Sequence, residues 1–222
     1  MSVKMTSLRI AVFGDKNVGK SAVTVRFLTK RFIGEYNSDI DLLYRSSIKQ
    51  EDYITDIEIL DTCSKNRNSS PSESHVQWAD GFVVIYDICV KETFEAARGI
   101  IHSLHKMKSP FIVPMLLLAN KRDLEHRREV GVDVGHELAL EYGCQFYEVS
   151  AADVFMPISI AYQALLRDAK ITQQQRSTIL RRRRSSLMTV SKKLVSIFGK
   201  KESDLEKKRP SCDAVPDFAL SI

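Results

Sequence analysis

The run Gly14-Asp15-Lys16-Asn17-Val18-Gly19-Lys20-Ser21 holds the most specific chemistry in this sequence, a G-x-x-x-x-G-K-S spacing that follows the apolar segment Leu8 to Phe13. A strand that ends in such a loop, with a helix beginning on its far side, aims backbone N–H groups and a helix N-terminus at one point, where an anionic phosphate chain can sit. Gly14 and Gly19 let the loop double back, and Asp15, Lys16, Asn17 and Val18 span the turn between them. Lys20 brings a point charge to the β- and γ-phosphates, Ser21 offers a hydroxyl to Mg²⁺, and Ala22 continues into the helix behind them. The plain alternative is a glycine-rich turn with no ligand.

Three further segments could serve the same ligand. Asp61 closes the apolar segment Ile57-Glu58-Ile59-Leu60, with Thr62 beside it. An acid at a strand end is most often a cap or turn former, but near a phosphate loop it gains a second use, holding Mg²⁺ through water. Asn120-Lys121-Arg122-Asp123 follows the apolar run Met115 to Ala119. A carboxylate there can accept from two adjacent N–H groups on one edge of guanine, a pair that adenine does not offer. In isolation N-K-x-D is a polar turn. Glu148-Val149-Ser150-Ala151 closes a later strand and could present a backbone N–H to the base oxygen, although alone it carries no signal.

These loops need a scaffold that brings strand ends together, and the hydrophobic pattern supplies one. Gly81 to Tyr86 and Phe111 to Ala119 are almost purely apolar, as expected of central strands buried on both faces, with Pro114 suited to an early strand position only. Tyr44 to Gln50 and Tyr53 to Leu60 form an expected hairpin around Glu51-Asp52, and Cys144 to Val149 a last strand. Helices are expected over Ser21 to Lys30, Glu92 to Met107, Val134 to Tyr142 and Ile158 to Ala169, where apolar residues recur at spacings of three and four. Residues 63 to 74 lack any apolar period and are expected to be a mobile loop without a stable element. Strand–loop–helix alternation of this kind predicts an α/β fold of the P-loop NTPase type. It should have six strands, mainly parallel, with one antiparallel edge from the hairpin and helices on both faces.

Composition sets outer bounds. With 222 residues and 44% hydrophobic content the chain can build one sizeable domain, expected over residues 6–170, with residues 1–5 flexible and a tail from a boundary at 170–178. Cys63, Cys89, Cys144 and Cys212 contain no C-x-x-C pair, so reduced cytosolic thiols are expected in place of a zinc site or disulfide framework. No apolar run reaches 18 residues and Met1 to Arg9 lacks a signal-peptide core, so the protein is expected to be cytoplasmic, neither spanning a membrane nor secreted. Residues 171–222 carry 12 Lys/Arg against 5 Asp/Glu, whereas residues 1–170 carry 21 against 23, so the basic character belongs to the tail.

In this order, and each after a strand, the four segments resemble those of the Ras-like small GTPases, over about residues 6–170. The runs Phe27 to Tyr36 and Trp78 to Val83 look most like the estrogen-regulated growth-inhibitor group within that family. The resemblance implies a small GTPase of the hydrolase class that binds GDP or GTP with Mg²⁺ and signals through effector or regulatory proteins. By that likeness Asn120, Lys121 and Asp123 read guanine, Ser150 and Ala151 form the final base loop, Phe32 flanks the base, and Ser21 and Asp61 serve the metal. Departures cluster at the γ-phosphate end. Asp39 stands where the family has the first-switch threonine, and D-T-A-G-Q becomes Asp61-Thr62-Cys63-Ser64-Lys65. The Lys65 ammonium has no acceptor with which to orient an attacking water, so no catalytic residue is assigned. Lys16 and Asn17 replace the small residues of many relatives, where a side chain can crowd the entry of an arginine finger. The expectation is intact guanine nucleotide binding with slow hydrolysis; the alternative is a pseudo-GTPase that uses a bound nucleotide as a structural core, and an adenine-nucleotide enzyme is disfavoured by Asp123.

In the tail, Arg181 to Arg184 precede apolar residues at 187, 190, 194, 197 and 198, a helical stripe flanked by cations. A basic amphipathic helix over 185–198 suits an anionic membrane surface or a calmodulin-like groove, and a short helix in a disordered tail is an equal alternative. Ser185 and Ser186 resemble a basophilic kinase site whose phosphate would weaken attraction to anionic lipid. Cys212 lies ten residues before Ile222, so no prenyl anchor is expected. Partial nuclear localisation is also open, because basic runs serve as nuclear signals, whereas a nucleic-acid partner is not favoured.

Overall fold

The computed structural model describes residues 7–34, 40–50, 53–63, 70–108 and 113–178. Met1–Gln174 forms one compact unit and Gln175–Ile222 a second. The first contains a six-stranded sheet in the order β2-β3-β1-β4-β5-β6, built from β1 (Leu8–Gly14), β2 (Leu42–Gln50), β3 (Tyr53–Asp61), β4 (Gly81–Asp87), β5 (Met115–Asn120) and β6 (Gln145–Glu148). Only the β2–β3 pair is antiparallel. Between strands run α1 (Lys20–Thr29), α2 (Glu73–Trp78), α3 (Lys91–Lys108), a 3-10 segment Arg122–Arg127 and α4 (Val132–Tyr142); α5 covers residues 155–178.

Alternation along β1 divides the core. Leu8, Ile10 and Val12 face α1 and α5, where Val23, Phe27, Tyr162 and Leu165 are buried, while Ala11 and Phe13 face the α2, α3 and α4 side with Val76, Phe94, Ile101 and Leu138. β4 and β5 are buried along their whole length, which is why they read as continuous apolar runs. Strand order reverses at β1, which lies parallel to β3 on one side and to β4 on the other. The crevice beyond the carboxyl ends of such strands is where ligands bind in open parallel sheets.

The mainly parallel sheet with its antiparallel edge is as expected, and the element bounds need several corrections. β5 begins at Met115, after Pro114, because proline has no N–H for the ladder; its carbonyl still accepts from Phe82 N at 3.0 Å. Phe111 and Ile112 lie outside the described residues. β6 is shorter than Cys144 to Val149, since Cys144 N turns back to Ala139 O at 2.8 Å. α2 starts at Glu73, inside the stretch expected to hold no element, and buries only Val76, too little to leave a periodic signal in sequence. α1 stops at Thr29 with Lys30 in a left-handed cap, and β2 starts two positions early at Leu42. α5 continues helically through residue 178, past the composition change at Lys170 and to the end of the 170–178 boundary region. Residues 1–5, the hairpin turn at 51–52 and the tail helix expected over 185–198 fall outside the described residues.

Candidate functional site

The loop leaving β1 packs where no side chain fits. Gly14 has φ +148°, and a Cβ there would overlap the Ile85 carbonyl oxygen of β4; Gly19 has φ +94°, and a Cβ would overlap Asn120 Nδ2. Between them Asn17 also takes positive φ, at 62°. Lys20 folds back over the loop, its Nζ donating to Gly14 O at 3.1 Å and Asp15 O at 2.8 Å. Burial lowers the Lys20 pKa, opposed by the charges of Asp61, Asp15 and Cys63. Asp15 is buried and its carboxylate accepts from Lys16 N at 2.7 Å, which braces the turn. α1 has neither a side-chain cap nor an acid in its first turn, so its N-terminal N–H groups are not neutralised from within the helix.

Asp61 ends β3 beside Ser21, whose hydroxyl bonds its carboxylate. Burial raises the Asp61 pKa and the Asp41 charge adds to that, while the Ser21 bond and Lys20 oppose it. Its Oδ1 is buried without a hydrogen-bond partner among the described residues. A hydroxyl and an orphaned buried carboxylate oxygen next to a phosphate loop form the hard-oxygen donor set that Mg²⁺ prefers, so these residues fit the ion the sequence implied. Thr62 instead turns inward, with both N and Oγ1 donating to Val12 O, at 3.2 and 2.7 Å.

Three loops meet at the other end. Asn120 bridges them: its Nδ2 donates to Val18 O at 2.8 Å in the phosphate loop and its Oδ1 accepts from Ala151 N at 3.1 Å. Ser150 Oγ donates to Asp123 Oδ1 at 2.5 Å and accepts from Ala152 N and Asp153 N at 3.2 and 3.1 Å, which ties the N-K-x-D carboxylate to the final loop. A cavity of about 370 Å³ runs from Lys20, Ser21, Asp61 and Thr62 to Asn120, Lys121, Asp123 and Ala151, with Asn17, Gly19, Ala22 and Phe32 also on its wall. Phe32 is half-exposed there. Its volume lies within the range of small-molecule clefts, roughly 300–1,000 Å³. Gly14, Asp15, Lys16, Val18 and Ser150 are not on that wall; Gly14, Asp15, Val18 and Ser150 are buried and Lys16 is exposed. Asp39, Ser64 and Lys65 lie outside the described residues.

Three supporting groups were not singled out in the sequence. Asp87 closes β4 as Asp61 closes β3, and its carboxylate pairs with Lys121 Nζ at 2.7 Å; that parallel was the available signal. Asp41 accepts from Cys63 N at 2.7 Å and pairs with His75 Nε2 at 3.2 Å, joining the start of β2 to the end of β3 and to α2. Arg128 bridges Glu125 and Glu148, with Nη1–Oε1 of Glu148 at 2.7 Å. Nothing in local spacing marks the last two.

Comparison with known proteins agrees with this geometry. The Ras family model matches residues 9–171. The chain is 36% identical over 207 residues to the Ras-related and estrogen-regulated growth inhibitor-like protein of Bos taurus, covering 90% of this chain and 100% of that protein. It is 36% identical to the human Ras-related and estrogen-regulated growth inhibitor, covering 89% and 98%. It is also 33% identical to the Ras-like protein family member 11B of Danio rerio, covering 82% and 79%.

Proposed function

Because the chain belongs to the Ras family of small GTPases, we propose that it binds GDP and GTP with Mg²⁺ in the cavity between β1, β5 and the final loop, and hydrolyses GTP slowly. The observation that carries this reading is the convergence of Lys20, Ser21, Asp61, Asn120 and Asp123 on one cavity wall. Lys20 and the N-terminus of α1 take the phosphates, and Asp123 accepts from the guanine edge. Ser21 and Asp61 would hold Mg²⁺, which supplies positive charge between phosphate oxygens.

Slow turnover follows from side-chain chemistry. By the family likeness Lys65, in the place of the usual glutamine, offers only donors to a water that needs an acceptor, and a carboxylate at Asp39, in the place of the first-switch threonine, repels phosphate oxygens. The protein is therefore a signalling GTPase with slow turnover and weakened GTP-dependent closing of its switches, recognised by effector or regulatory proteins. Its proposed setting is the cytoplasm, with the basic tail as the route either to an anionic membrane surface or to the nucleus. No helix among the described residues is long and apolar enough to cross a membrane.

Nucleotide content of the purified protein is the first test, followed by Mg²⁺-dependent GDP and GTP affinities and single-turnover hydrolysis. Retained guanine nucleotide with slow turnover supports the proposal, and hydrolysis at an ordinary Ras-like rate removes its second half. Complete absence of hydrolysis, with equal partner binding in both nucleotide forms, would instead make the protein a guanine-nucleotide-bound interaction module.

A further inference from the structure

Lys121 occupies an unusual position in the base loop. Its φ is +68°, in the left-handed region that non-glycine residues seldom adopt, and this bend turns the chain from the end of β5 into the 3-10 segment. The bend places Asn120 toward Val18 and Ala151 and lets Asp123, three residues on, meet Ser150 and the cavity. The support for it comes from another strand. Asp87, buried at the end of β4, lies level with Asn120 in the parallel register. One carboxylate oxygen is fixed by Cys89 N at 2.9 Å and the other meets Lys121 Nζ at 2.7 Å. The same turn adds Ile88 N to Asn120 O at 3.2 Å and Cys89 Sγ to Leu124 O at 3.6 Å.

We propose that Asp87 is a positioning residue for guanine selectivity: through its ion pair with Lys121 it sets the bend that presents Asp123 to the base. The proposal rests on the guanine-nucleotide reading above. A carboxylate aligns two N–H donors only when its plane is fixed, so a loosened bend costs the second donor most. Asp87 is not itself on the cavity wall and reaches it through Lys121.

The test compares GDP with inosine diphosphate, whose base lacks the exocyclic amine. In D87N the amide can still accept from Cys89 N while the charge is gone. GDP dissociation should speed up roughly tenfold, the scale of one charge-assisted hydrogen bond, and the preference for GDP over inosine diphosphate should shrink. K121M should lose preference likewise, and D87N/K121M should be no worse than the worse single variant. Equal losses for both nucleotides, or additive effects in the double variant, would reduce Asp87 to a general structural role and overturn the proposal. If D87N does not fold, K121M decides: its methionine removes the cation without touching Asp123, and a retained preference overturns the proposal. Wild-type protein that takes up no GDP would overturn the nucleotide reading and this proposal with it. Wild-type protein that retains GDP while D87N keeps the wild-type rate and preference overturns the Asp87 proposal alone.

Discussion

On the proposed reading one functional group, the Asp123 carboxylate, sets the identity of the ligand. An amide in its place keeps one acceptor and turns the other into a donor, which suits a base bearing an oxygen where guanine has an amine. D123N should therefore lose GDP affinity by roughly a hundredfold and gain affinity for xanthosine diphosphate, measured by competition; the size follows from leaving a polar edge unmatched. Asp61 makes the opposite point about stability. Burial raises its pKa, so its ionised form is a cost in the folded protein until a cation arrives. D61N should melt higher than wild type in EDTA without nucleotide and should lack the stabilisation expected of wild type with Mg²⁺ and GDP, both read by thermal melting.

Among elements, the decisive contacts are those between loops that belong to different strands. Gly19 lies at positive φ against the Asn120 amide, so G19A strains the backbone and displaces the group that clamps three loops. It should lower stability by about 1–3 kcal/mol and abolish tight GDP retention, measured by denaturant unfolding and nucleotide release. Arg128 joins the 3-10 segment after N-K-x-D to Glu148 at the end of β6, with both side chains mostly buried. R128A leaves the Glu148 carboxylate without its cation, and a loss of about 1–3 kcal/mol is expected by denaturant unfolding. α2 shows the limit of local reading at this scale. With one buried residue it is held by the Asp41–His75 pair and by packing, not by an amphipathic pattern.

For the molecule as a whole, the buried core of the described residues runs from Leu8 to Ala169, on both faces of one sheet. A chain cut after residue 178 should keep its melting temperature and GDP affinity and lose sedimentation with anionic liposomes, because the cut removes Arg181 to Arg184 and the four lysines at 192, 193, 200 and 201. Equal sedimentation of cut and full chains would take the membrane out of its function.

The sequence alone determined the phosphate loop, the N-K-x-D segment and the alternation of strands and helices, because each depends on residues within one turn or one period of its own backbone. It also determined that Lys65 carries donors only and no acceptor, which is a property of an ammonium in any fold. Tertiary structure decided which loops share a cavity: Asn120 bonds Val18 across 102 residues, and Asp87 reaches Lys121. Those partners follow from β1 lying between β3 and β4, and from β4 lying level with β5. Strand order is chosen by how both faces of the sheet bury their side chains together, a condition on the whole chain that no local spacing records.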